Sequence, residues 1–125
     1  MSKNKNATVI SSTEGLQKFP LNLEYKLTLS DKELKDKNKV FSEITVSYIS
    51  SSVEMKYKDG LEGQLRRLWG RIQRKMDEAI ENKTYSIELE NAEKDFIKNS
   101  FKEAKFPAAL AKHITFFEDA FIELL

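Results

Sequence analysis

Cysteine is absent from the chain, which excludes a disulfide framework, thiolate metal sites and thiol catalysis. Histidine occurs once, as His113, so a metal site would need oxygen ligands alone, suited to magnesium or calcium. The acids Asp31, Glu33 and Asp36 are interleaved with Lys32, Lys35 and Lys37 and lack the glycine and spacing of a calcium loop. No metal is expected. A net charge of one sign is also missing, because 21 Lys and Arg stand against 20 Asp and Glu, a balance of +1. No whole-molecule field draws such a chain to DNA, RNA or an acidic membrane, so an electrostatic partner must be met by a local patch.

Long apolar runs are lacking, and nothing approaches the length of a spanning helix. Met1 to Asn6 carries Lys3 and Lys5, but Ala7 to Ser12 is too short and polar for a signal-peptide core. Ser2 stands where myristoylation requires glycine. The expectation is a cytoplasmic protein with no membrane partner. Gly60-Leu61-Glu62-Gly63 has the glycine spacing of a phosphate-clamping loop, yet Glu62 would repel a phosphate there. No cofactor is expected.

What is present is enough for a core: 125 residues, 40% of them hydrophobic, the usual size of one domain. Residues 1–18 are rich in Ser, Asn, Lys and Thr and read as a flexible N-terminal arm. Thr8-Val9-Ile10 is the segment by which that arm would add a strand to a neighbour. Residues 19–125 read as a single α+β domain. Leu21, Leu23, Tyr25, Leu27 and Leu29 alternate with Asn22, Glu24, Lys26 and Thr28, the period of a half-buried strand. Ser30 and Glu33 have the spacing of a capping box, so a turn of helix over 31–36 follows. Ile44, Val46 and Tyr48, then Val53, Met55 and Tyr57, alternate again and predict a three-stranded meander. Tyr25, Tyr48, Tyr57 and Tyr85 read as sheet residues with hydroxyls at the rim.

A long amphipathic helix is predicted from Asp59, as N-cap with Glu62, to Asn82. Thr84 to Glu90 returns to alternation and predicts a fourth strand. Asn91 caps a second helix, 92–105, burying Phe96, Ile97, Phe101 and Ala104, and Pro107 opens a third toward Leu125. The expected fold is therefore α+β: a small antiparallel sheet of about four strands, order βββ-α-β-αα, with three helices on one face. The third helix is apolar over about half its circumference: either it is buried between the sheet and neighbouring helices, or part of it, Phe116 with Ile122 and Leu125, meets another subunit. Glu118, Asp119 and Glu123 make its wet side, and His113 lies on its apolar face as a core or interface histidine, without the base and orienting group that catalysis requires.

One surface remains. On the long helix, Leu61, Leu65, Leu68, Trp69, Ile72, Met76, Ala79 and Ile80 share one side, and Arg66, Arg67, Gly70, Arg71 and Arg74 share the other. Glycine inside a helix costs about 1 kcal/mol relative to alanine, and core packing does not ask for it on the polar side. Three readings compete. The face is solvated, with Glu62–Arg66 and Arg74–Glu78 as ordinary pairs; or the arginines meet an acidic protein surface, with Gly70 admitting a close approach; or they take the phosphates of a nucleic acid. The sequence points to a non-enzymatic interaction or assembly protein that self-associates or binds an acidic partner, a character common among small accessory proteins of bacteria and of their viruses. The alternative is a nucleic-acid-binding accessory protein using the same arginines.

Overall fold

The computed structural model describes residues 16–125. Thr8-Val9-Ile10 and most of the expected arm lie outside them. The elements are β1 (Gln17–Pro20), α1 (Asp31–Lys35), α2 (Lys37–Lys56), α3 (Gly63–Glu81), β2 (Ser86–Leu89), α4 (Asn91–Glu103), a 3₁₀ turn (Ala108–Leu110) and α5 (Ala111–Leu124). The chain is α+β but mostly helical, and its sheet has two strands. The expected four-stranded sheet in the order βββ-α-β-αα is thus corrected.

The largest correction concerns 37–56. Two strands were expected there, and one unbroken helix, α2, occupies the stretch. Its buried residues are Phe41, Ser42, Thr45, Ile49, Ser52 and Val53, a spacing of three and four that only a helix places on one face. Polar residues supply half of that face, so the apolar residues alone mimic an alternating pattern. The small residues let α2 lie close to α4, its most extensive partner. Their hydroxyls are mostly satisfied: Ser52 Oγ donates to the Tyr48 carbonyl at 2.9 Å, and Thr45 Oγ1 shares a hydrogen bond of 2.8 Å with Tyr25 Oη.

With no strand beside it, the Leu21–Leu29 segment runs as an irregular connection outside any strand, turned at Leu27 N, which donates to the Tyr25 carbonyl at 2.9 Å. Leu21 and Tyr25 are buried and Leu23 and Leu29 pack on the core, with Leu27 the exception, so the inward residues are largely as read although no strand carries them. The tyrosines are likewise not a sheet-rim set: Tyr25 is in this connection, Tyr48 within α2, Tyr57 at its C-cap and Tyr85 before β2. The Ser30 capping box does form, with Glu33 N donating to Ser30 Oγ at 3.2 Å and Ser30 N to Glu33 Oε1 at 2.9 Å.

β1 was not anticipated; Gln17 and Lys18, at the end of the expected arm, are part of it. It pairs antiparallel with β2, the predicted fourth strand, in the register Lys18↔Glu88 and Phe19↔Ile87. Phe19, Ile87 and Leu89 face the core, while Lys18 opposes Glu88 as a cross-strand pair of opposite charge. Two strands are not stable alone. Phe19 therefore packs on α5, its ring centroid 5.9 Å from Phe117 and 5.0 Å from Phe121, and Phe101 of α4 closes the cluster at 5.1 Å from Phe117.

α3 begins at Gly63, later than expected, because Gly60 turns the backbone at φ 107°, a conformation that favours glycine. Asp59 is thereby removed from the N-cap, which is Glu62 without a side-chain cap bond. The core side is as read: Trp69, Ile72, Met76 and Ala79 are buried, with Leu61, Leu65 and Leu68 packed at its edge. α4 is capped at Glu90 instead of Asn91, and Pro107 precedes the 3₁₀ turn, so α5 starts at Ala111.

Candidate interaction face on α3

α3 presents to solvent the stripe Gly63, Arg67, Gly70, Arg74, Asp77 and Glu81, which recurs at intervals of four and three and therefore stays on one side of the helix. None of these six residues is buried. Arg66, Arg71 and Glu78 flank the stripe and are exposed. The expected candidates Arg66, Arg67, Gly70, Arg71 and Arg74 are thus brought together on one surface, and the four arginines are the only ones in the chain.

The ordinary ion pairs expected for this face are not formed. Ion pairs among the described residues are Lys37–Glu24, Lys56–Glu103 and Lys75–Glu93, so none involves an arginine. Arg66 Nη1 donates instead to the Leu61 carbonyl at 3.1 Å. A methyl group built on Gly70 would meet nothing within 4 Å, so nothing inside the protein requires glycine there.

Charge along the face is sorted by position. The arginines occupy the first two-thirds of the helix and Asp77, Glu78 and Glu81 its last turns. The first turn has no acid and the last turn no base. This is opposite to what the helix dipole favours, namely anions near the N-terminus and cations near the C-terminus. Grooves flank the two ends: one of about 330 Å³ with Leu65, Arg67, Leu68 and Arg71 in its lining, and one of about 460 Å³ against α2 with Glu43, Val46, Asp77 and Glu81.

The apolar candidates on α5 are placed differently. Phe116 is 44% exposed and Ile122 61%, on opposite flanks of the helix, roughly 120° apart at 100° per residue. Leu125 is partly buried and packs on the core, its carbonyl accepting from Lys94 Nζ at 3.3 Å. The three do not form one patch. His113 is partly exposed near the start of α5. Asp119 and Glu123 are exposed, whereas Glu118 is partly buried, and burial together with the adjacent Asp119 charge holds its carboxyl above the usual range.

Sequence reasoning missed one buried acid. Glu93 of α4 is fully buried, its Oε1 accepting from Lys75 Nζ at 2.6 Å and from Glu90 N at 2.8 Å. Lys75 Nζ also donates to the Glu88 carbonyl at 2.8 Å, so one ammonium joins α3, β2 and α4. The available signal was the α4 stripe: stepping back four residues from Ile97 lands on Glu93.

Among the described residues no group of three or more potential ligands could hold a metal ion, and no helix is long and apolar enough to cross a membrane. The chain matches no known family model, no curated protein and no solved structure in the comparisons made.

Proposed function

We propose that this protein is a non-enzymatic interaction or assembly protein, self-associating, whose contact surface is the outer face of α3 and whose partner there is an acidic protein surface. The observation that carries the reading is the arginine set itself: four exposed guanidiniums without a carboxylate partner among the described residues, around a glycine that nothing described packs against. Arginine suits such a role because its planar fork bonds carboxylates in pairs and is more weakly hydrated than an ammonium.

The nucleic-acid reading draws on the same guanidiniums, which would take phosphates. Asp77, Glu78 and Glu81 on the same exposed side count against it, since a phosphate backbone tracking α3 would meet them. The separating experiment is light scattering on a sizing column, together with a titration of mixed DNA and RNA at two salt concentrations. Assembly that is lost in an Arg67→Glu, Arg71→Glu double variant, without nucleic-acid binding, is the expected result. At a dilution where the natural chain is also dissociated, the thermal midpoint should barely move, because exposed substitutions of this kind change stability by about 0.5 kcal/mol or less. Strong low-salt binding to nucleic acid would sink the reading in favour of the second.

A further inference from the structure

The stripe on α3 is complementary to itself. Consider a second copy of α3 laid antiparallel on the first, with the twofold axis at the level of Ile72. Residues equally distant from that level then face one another: Arg67 meets Asp77 of the second copy, Gly70 meets its Arg74, and Gly63 meets its Glu81. All six stripe residues find a facing position in the set, because intervals of four and three read the same in both directions. We infer that the occupant of this face is a second copy of the chain, bound through an antiparallel α3–α3 seam; the inference rests on the functional reading above and specifies its partner.

Three observations that are unexplained in the single chain follow from this pairing. Arg67 gains the carboxylate it lacks, twice per dimer. Gly70 becomes necessary, because the large Arg74 side chain of the other copy lies over it and a Cβ would hold the backbones apart. The charge order along the helix also changes sense: Glu81, poorly placed at the C-terminal end of its own α3, comes to the N-terminal end of the other, where an anion is favoured. Each chain brings two positive and two negative side chains to the seam, so it closes without net charge. It contains no apolar side chain, and charge with close approach must hold it. Such a contact weakens as salt screens it, over a Debye length of about 8 Å at physiological ionic strength. Association through the exposed apolar residues of α5 would instead resist salt.

The test is a charge exchange across the seam, read by light scattering or sedimentation of the whole protein at low and high salt. The unaltered chain is expected to be a dimer at low salt that dissociates at high salt. Arg67→Asp and Asp77→Arg each place like charges opposite one another, and each should weaken dimerisation on the order of a hundredfold. Combining them in one chain restores opposite charges and should restore the dimer, as should mixing the two single variants. Circular dichroism on each variant checks that the exposed changes leave the fold intact. Gly70→Ala supplies a second readout, with the thermal midpoint of the dilute monomer rising while the dimer weakens. Self-association untouched by Arg67→Asp, or lost and not regained on adding Asp77→Arg, overturns the seam and leaves self-association by another surface standing. A chain that is monomeric at low salt overturns the seam and homotypic assembly together, leaving only a different acidic partner.

Discussion

Lys75 is the residue on which three elements depend, since its ammonium holds a buried carboxylate on α4 and a backbone carbonyl in β2. Removing one partner of a buried pair strands the other, at a cost of about 3–5 kcal/mol. Lys75 is about a third exposed, so Lys75→Ala should lower stability by less than that, about 2 kcal/mol in chemical denaturation, and a loss below about 1 kcal/mol would mean that water reaches Glu93. Glu93 Oε2 has no hydrogen-bond partner, so the pair is not an optimised one. Tyr25 carries a second residue-scale prediction. Burial pushes its hydroxyl from the ordinary 10.0 up to about 12, against the lowering effect of the bond to Thr45. The folded protein therefore keeps a proton that the unfolded chain gives up. The stabilisation is complete below about pH 10 and is lost as pH rises toward about 12. Thermal melts over that window should fall more steeply for the natural protein than for Tyr25→Phe, which loses about 1 kcal/mol at neutral pH with its hydrogen bond. Parallel slopes would show that Tyr25 loses its proton in the fold at the same pH as in the unfolded chain. Neither burial is legible in the sequence: Tyr25 reads as a sheet residue with its hydroxyl at the rim and nothing singles out Glu93, because burial of a polar group depends on what packs over it.

At the scale of the element, what could be read depended on whether an apolar stripe was carried by apolar residues. α3 was legible because Trp69, Ile72, Met76 and Ala79 mark its inner face without interruption, and its arginine face followed as the complement. α2 was not, because Ser42, Thr45 and Ser52 occupy inner positions and the β-branched Ile44, Thr45, Val46, Ile49 and Val53 favour strands by propensity. Tertiary packing on α4 decided against that propensity. Ser42 shows what such a face costs: its hydroxyl is buried without a partner, whereas those of Ser52 and Ser100 donate to carbonyls four residues back. Ser42→Ala should therefore leave α2 intact and raise stability by up to about 1 kcal/mol. A clear loss in the denaturation midpoint would mean that the hydroxyl has a partner in solution.

For the molecule as a whole, the expected class, α+β, holds only with the balance reversed toward helix, and the face proposed for contact is the part of the surface least influenced by that reversal. α3 lies between the core and solvent whichever elements supply the core, so its outer stripe was visible from periodicity alone. The pairing of β1 with β2 was not, because its partners are far apart in the chain and only the finished fold brings them together. The same closure has a consequence for connectivity. Lys94 Nζ donates both to Gln17 Oε1 at 2.9 Å and to the Leu125 carbonyl at 3.3 Å, so the first described strand and the last residue share one nitrogen. A short polar bridge from Leu125 to Gln17, with a cut in the exposed 58–60 turn, should give a permuted form of residues 17–125 in which α3 follows the cut and the packed elements keep their places. The order in which this chain is threaded is thus separable from the shape it makes.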